Sequence, residues 1–192
     1  MINKPSQALL DQLYFSREGD MVDSLELADT DLSLMDLSAI AVEMLNAEGA
    51  CFRGAVLDEA RCLDSQFDRC NFEGASLSQA VFHDCLFTDA NFKNATLTHT
   101  QLSACSCDGA TLTSVSLVGA DLWGSTFEHA KLQSADLSNV TAKQVSFRGA
   151  DLTGATLTGG DFTDAYFEGA ILTNVCWGDA ILTDAKFDSV AS

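Results

Sequence analysis

The run Ala150-Asp151-Leu152-Thr153-Gly154-Ala155-Thr156-Leu157-Thr158-Gly159 states one five-residue pattern twice. Leu152 and Leu157 belong to a phase that continues unbroken from Phe52 to Phe187, through Phe67, Phe87, Leu117, Phe147 and Leu172, and no charge occurs in it. Two residues before each member stands a small side chain, such as Ala50, Ala75, Ala110 or Ala165, and elsewhere Ser65, Cys70, Thr100, Val140 or Gly160. A period of five fits neither the 3.6 of a helix nor the 2 of a strand, so neither element buries the pattern for long. The chain must bend once per repeat.

Segments such as Ala150-Asp151-Leu152-Thr153-Gly154 and Ala90-Asn91-Phe92-Lys93-Asn94 resemble the A-[D/N]-[L/F]-x-x pattern of the pentapeptide-repeat family, over about three quarters of the chain. The resemblance implies an all-β fold, a right-handed quadrilateral β-helix with four pentapeptides per square coil. Residues twenty apart then stack. One column reads Phe67, Phe87, Cys107, Phe127, Phe147, Phe167, Phe187; another runs Phe72, Phe92, Leu112, Leu132, Leu152, Leu172. With coils about 4.8 Å apart, the 28 repeats of residues 50–190 give about seven coils and a rod of about 34 Å. Each inward Leu or Phe contributes roughly 1.5–3 kcal/mol by burial, and the stability is a sum of nearest-neighbour terms.

The first 49 residues differ, with ten acidic and two basic residues. A short helix is expected over Ser6–Phe15, with Pro5 at its start and Gly19 beyond its end, forming an N-terminal helical cap within residues 1–24. Residues 25–49 read as irregular or degenerate repeats, because Leu27, Leu32 and Leu37 keep the phase while Ser38–Asn46 blurs it. At the far end the usually polar outward position is apolar at Ile171, Cys176 and Ile181, preceded by Tyr166. An open solenoid end exposes core and unpaired backbone. These four residues are therefore the expected self-association surface of a homodimer formed through the C-terminal coil.

The chain of 192 residues carries 28 acidic and 10 basic residues, a net charge of −18. That balance excludes a nucleic-acid binder relying on Lys and Arg to neutralise phosphates, and points to a protein partner with a basic surface. No stretch reaches the ~20 apolar residues of a membrane span, and Met1-Ile2-Asn3-Lys4-Pro5 lacks the apolar run of a signal peptide. A cytoplasmic location is expected. The seven cysteines show no CxxC pair of a zinc site, so reduced thiols, no metal and no cofactor are expected. Cys62, Cys70, Cys85, Cys105 and Cys107 fall at inward positions, whereas Cys51 and Cys176 point outward. Cys85 and Cys105 are one coil apart, within disulfide reach under oxidation.

Nothing in the chain assembles a reaction site. His83, His99 and His129 lie outward on three different faces, no serine sits in a GxSxG elbow, and no Gly-rich loop precedes a helix. Charge placement is more informative. We number the faces from the one centred on Phe52. The residue after the centre on the fourth face gives Asp68, Asp108, Glu128 and Glu168, and the adjoining corner gives Asp64, Asp84, Asp164 and Asp184. The second face is nearly neutral, with Ser76, Ser78, Thr96, Thr98, Thr156 and Thr158. The reading is a non-enzymatic interaction module, a rigid acidic rod meeting another macromolecule along one side. The family resemblance implies an alternative, since its fluoroquinolone-resistance group imitates duplex DNA and binds DNA gyrase. Here the eight carboxylates would be phosphate surrogates. Duplex DNA carries one charge per ~1.7 Å, or around twenty over such a rod, whereas residues 50–192 hold 18 acids against 8 bases. The paired threonines also resemble ice-binding arrays, but Lys131, Asp136, Val118 and Gly178 interrupt them.

Overall fold

Most repeats bend in the same way. The central residue's carbonyl accepts a hydrogen bond from the N–H three residues on, as Ala90 donates to Phe87 at 3.0 Å, closing a β-turn. The third residue of that turn is left-handed, with φ of 57° at Asp89, 58° at Asn94 and 57° at His99. The left-handed region disfavours most side chains and tolerates Asn, Asp and Gly, which explains the composition of the corners. Between bends each central N–H reaches the next coil, as Phe87 donates to the Ser106 carbonyl at 2.7 Å.

The computed structural model, which describes residues 3–15 and 21–188, is a right-handed quadrilateral β-helix with a short helix at its N-terminal end. All rungs are parallel and, from Val22 on, offset by twenty residues. On the third face they lengthen into a five-stranded sheet: β1 (Val22–Asp23), β2 (Ala41–Glu43), β3 (Arg61–Leu63), β4 (Val81–His83) and β5 (Gln101–Ser103), in that order. The register aligns Val22, Val42, Cys62, Phe82 and Leu102. Elsewhere single bridges continue the stack, as from Tyr166 to Lys186.

Helix α1 (Gln7–Phe15) starts where the Ser6 hydroxyl accepts the Leu9 N–H at 3.3 Å, an N-cap that satisfies one orphan donor. Its Leu13 is fully buried and joins the core of the first coil. The capping element is thus α1, while Val22 and Asp23, inside the expected 1–24 cap, already belong to the sheet. Winding begins at Val22, more than one coil before residue 50. Residues 25–49 keep full backbone register, and their irregularity lies only in side-chain size. Ile40 with Val42, and Leu45 with Ala47, put the bulk on the position normally small, and all four are buried.

The core is a set of ladders. Phe52, Phe72 and Phe92 stack at 4.8 Å between centroids, and Phe67 on Phe87 at 5.0 Å; beyond Cys107 the fourth-face ladder resumes with Phe127, Phe147, Phe167 and Phe187. Polar groups at inward small positions are all satisfied. The Ser125 hydroxyl donates to the Leu102 carbonyl and accepts the Cys105 N–H, and Thr100 donates to the Leu77 carbonyl at 2.8 Å. A buried hydroxyl without such a partner would cost about 1–3 kcal/mol.

Candidate interaction surface

The eight carboxylates singled out from the sequence fall in two rows that border the fourth face. Asp64, Asp84, Asp164 and Asp184 occupy its corner with the third face, and Asp68, Asp108, Glu128 and Glu168 run along the opposite border. Gln66, Leu86, Ser106, Thr126, Ser146 and Tyr166 lie between the rows. Local structure accounts for part of this pattern. The four corner aspartates have φ of 47°, 53°, 59° and 56°, where a short polar side chain is favoured. In the other row the Asp68 carboxylate accepts the Thr88 N–H at 2.9 Å and Asp108 accepts that of Glu128 at 2.8 Å, tying each coil to the next.

The rows are neither continuous nor wholly free. Arg148 stands between Glu128, at 3.9 Å, and Glu168, at 3.4 Å, and its guanidinium lies 4.1 Å over the Tyr166 ring. His83 is 3.2 Å from Asp84. Between Asp84 and Asp164 the corner row passes through Ala104, Gly124 and Gln144, which carry no charge. On the other faces carboxylates are drawn into local turns. Hydrogen bonds from Ser33, Thr153 and Thr163 hold Asp31, Asp151 and Asp161 below the usual carboxylate range. On the second face Asp58 accepts both the Ser76 hydroxyl, at 2.6 Å, and the Ser78 N–H.

The histidines are accounted for by the stacking. Rings of His99 and His129 lie against the next coil at Gly119 and Gly149, where an added Cβ would stand 2.5 Å from a ring nitrogen. Among the described residues no group of three His, Cys, Asp or Glu is placed to hold a metal, and no helix is long and apolar enough to cross a membrane.

All seven thiols are free. Burial pushes the Cys70 thiol up to about 12 and raises Cys62 well above its ordinary value; the Cys85 thiol is raised by its hydrogen bond with Cys105 and then by burial. Only Cys51 and Cys176 are accessible. A thiol reagent applied to the native protein is therefore expected to modify those two rapidly and the other five only on unfolding, since the thiolate is the nucleophile. Rapid labelling of Cys85 or Cys105 in the native state would contradict the packed core.

At the C-terminal end the four predicted self-association residues are not brought into one patch. Ile171, Cys176 and Ile181 project outward from three different faces and ring the last coil, while Tyr166 lies a coil back beneath Arg148. Apolar surface at this end comes both from Ile171 and Ile181, each 50% exposed, and from the ladder ends Leu182 and Phe187, 36% and 40% exposed beside the half-buried Leu172 and Trp177.

One exposed residue escaped the sequence reading. Trp123 follows the centre on the third face, where other coils carry His83, Ser103 or Thr163, and it is 49% exposed. With Ala104, Gly124, Gln144, Asp164 and Tyr166 it lines a shallow groove across the corner row. Its signal in the sequence is a tryptophan at the position after a centre, where no other repeat from Arg53 to Asp188 carries Phe, Tyr or Trp.

Comparisons with known proteins bear on this architecture. The family profile described as pentapeptide repeats matches in eight copies, over residues 45–74, 65–103, 105–141, 135–174 and 161–190. No curated protein sequence matches. Among solved structures, a trypsin-treated variant of QnrB1, described as a plasmid-mediated fluoroquinolone resistance protein, is similar at 23% identity and a TM-score of 0.68, covering 88% of this chain and 92% of that one. A second trypsin-treated variant gives 22% identity and a TM-score of 0.56, covering 88% and 93%. HetL, a pentapeptide repeat protein involved in heterocyst differentiation regulation from the cyanobacterium Nostoc, gives 24% identity over 96% of this chain and 97% of that one, with a TM-score of 0.35. At these identities the likeness concerns the fold.

Proposed function

The chain belongs to the pentapeptide-repeat family, and from that premise we propose that it is a non-enzymatic interaction module whose fourth face and adjoining corner meet a basic surface of another protein. Members of the family are generally structural or interaction modules. The observation that carries the reading is the arrangement of charge: eight carboxylates in two rows border one face, whereas those of the second face, among them Asp58, Glu59, Asp136 and Asp179, do not stack on successive coils. A rigid rod with one charged side steers a basic partner and fixes its orientation without any cleft. Seven free thiols fit a reducing, cytoplasmic setting.

The test is capture from native lysate by the wild-type chain and by a variant with the eight carboxylates converted to Asn or Gln. Asparagine suits the left-handed corners, as at Asn94 and Asn139, and keeps the acceptor that Asp68 and Asp108 supply. Partners retained by wild type and lost by the variant support the proposal. Identical captures refute it.

A second reading is supported by the periodicity of the rows, which offers carboxylates on successive coils as a duplex offers phosphates. In it the protein is a DNA mimic that inhibits or protects DNA gyrase. Arg148 and the uncharged stretch at Ala104, Gly124 and Gln144 weigh against it, because they interrupt the charge. Purified gyrase in a supercoiling assay separates the two: no inhibition and no protection from quinolone at micromolar protein removes the mimic.

The proposal extends to the last coil, whose ladder ends Trp177, Leu182 and Phe187 would be covered by a second copy of the chain. Light scattering is expected to give a dimer for the wild type and a monomer for an Ile171→Asp/Ile181→Asp variant, in which two carboxylates ring the apolar end. Monomers in both cases would remove the dimer.

A further inference from the structure

We propose that the acidic side carries one anchor point, a notch at Ala104 and Gly124 walled by Trp123, which seats an arginine side chain from an extended basic segment of the protein partner. The inference rests on the acidic side being the contact surface, and it names the place and the partner chemistry.

The notch is built by missing side chains. Along the corner row the sequence runs Asp64, Asp84, Ala104, Gly124, Gln144, Asp164, Asp184, and a Cβ added at Gly124 would meet no atom within 4 Å. The turn geometry also changes here. Among the described residues no backbone bond closes the corners at Asp64, Asp84 and Ala104, whereas Ser125 N–H donates to the Leu122 carbonyl at 3.1 Å and closes the one at Gly124. Trp123 stands beside this step. Its backbone N–H is held by Asp121 at 3.1 Å, while its indole N–H has no hydrogen-bond partner among the described residues. Tryptophan, with tyrosine and arginine, is enriched among the residues that carry binding energy at interfaces.

What the notch would hold follows from its neighbour. One row away the same surface binds a guanidinium from its own chain: Arg148 lies over the Tyr166 ring between the carboxylates of Glu128 and Glu168. The notch repeats that set of groups without the cation. Trp123 supplies the aromatic face, and Asp164, half-buried in the groove, makes no ion pair among the described residues. Lys143, the next residue in the Trp123 column, is drawn aside to Asp161 at 3.1 Å. A cation over tryptophan is favoured by the ring's quadrupole, and more so beside a carboxylate. Asp84 and Asp164 bracket the site four coils apart, about 19 Å at ~4.8 Å per coil, which an extended segment of about six residues spans. An arginine near the middle of such a segment falls at Trp123.

The test uses a Trp177→Phe background, so that Trp123 is the only tryptophan of the two, and an acetylated hexapeptide alternating arginine and serine, at low ionic strength. Peptide is expected to change Trp123 emission, and calorimetric titration is expected to show Trp123→Ala and Gly124→Asn each weakening binding about tenfold. Asp136→Asn, on the second face, should weaken it no more than about twofold. Gly124→Asn leaves the fold intact, since Asn94, Asn139 and Asn174 occupy equivalent corners with φ near 58°. If the peptide binds, and neutralising the eight carboxylates abolishes that binding while both notch variants bind like wild type, the anchor is wrong and the acidic-side reading stands. If the peptide does not bind, or binds regardless of the carboxylates, both fail.

Discussion

Truncation of Phe87 to alanine is expected to lower the free energy of unfolding by about 3–5 kcal/mol, the range for a fully buried phenylalanine whose cavity cannot collapse. Phe87 is fully buried, stacks on Phe67 at 5.0 Å and meets Phe72, Phe82 and Phe92 at centroid distances of 6.1, 5.2 and 5.4 Å. The surrounding backbone is fixed by bonds to the coils on either side, so the void stays open. In the same ladder Phe187 is 40% exposed and stacks on one side only. Its truncation should cost about half as much or less. Urea unfolding of both variants, compared at unchanged m-value, reads the difference. Equal losses would mean that the coils do not hold one another by nearest-neighbour packing.

Gly160→Val is the second large effect. Gly160 is an inward position paired with Phe162, and an added Cβ there would lie 2.5 Å from the Phe162 ring. One coil earlier the same two positions are Val140 and Ala142, both buried. The available volume belongs to the pair, and either member can hold it. Overpacking by valine should destabilise by about 3 kcal/mol or more. In the Gly160→Val background, Phe162→Ala should cost far less than its usual ~3–5 kcal/mol, because it restores the valine–alanine pair. A double-mutant cycle measures this. Strict additivity would show that the two positions are filled independently.

That exchange of volume explains what the sequence did and did not disclose. A large residue at one phase and a small one two places earlier is legible wherever it occurs, and it located every coil from Phe52 onward. Where the pair is inverted, as at Ile40 with Val42 and Leu45 with Ala47, the pattern vanishes although the backbone is unchanged. So the coil that begins at Val22 was read as degenerate. The carboxylate rows were legible in the same arithmetic. Their double nature was not: the corner aspartates satisfy a left-handed backbone, and Asp68 and Asp108 bind neighbouring amides. Pairings across columns, such as Arg148 on Tyr166, depend on side-chain direction and left no trace in a period of five. Trp123 stands at an outward position, which the inward five-residue phase does not mark. At the last coil the hydropathy of Ile171 and Ile181 is legible, whereas the opening of the inward ladder at Leu182 and Phe187 follows only from the stacking.

The central claim is that one side of the rod, and not its net charge, does the binding. Two variants of equal charge decide it: one with Asp64, Asp84, Asp164 and Asp184 changed to Asn, the other with Asp58, Asp136 and Asp151 changed to Asn and Glu73 to Gln on the first and second faces. Their affinities for the basic partner captured by the wild type are then measured at one ionic strength. The account predicts loss of affinity for the first variant and near wild-type affinity for the second. Equal loss in both would contradict it, and would reduce the acidity to a diffuse field around a soluble rod.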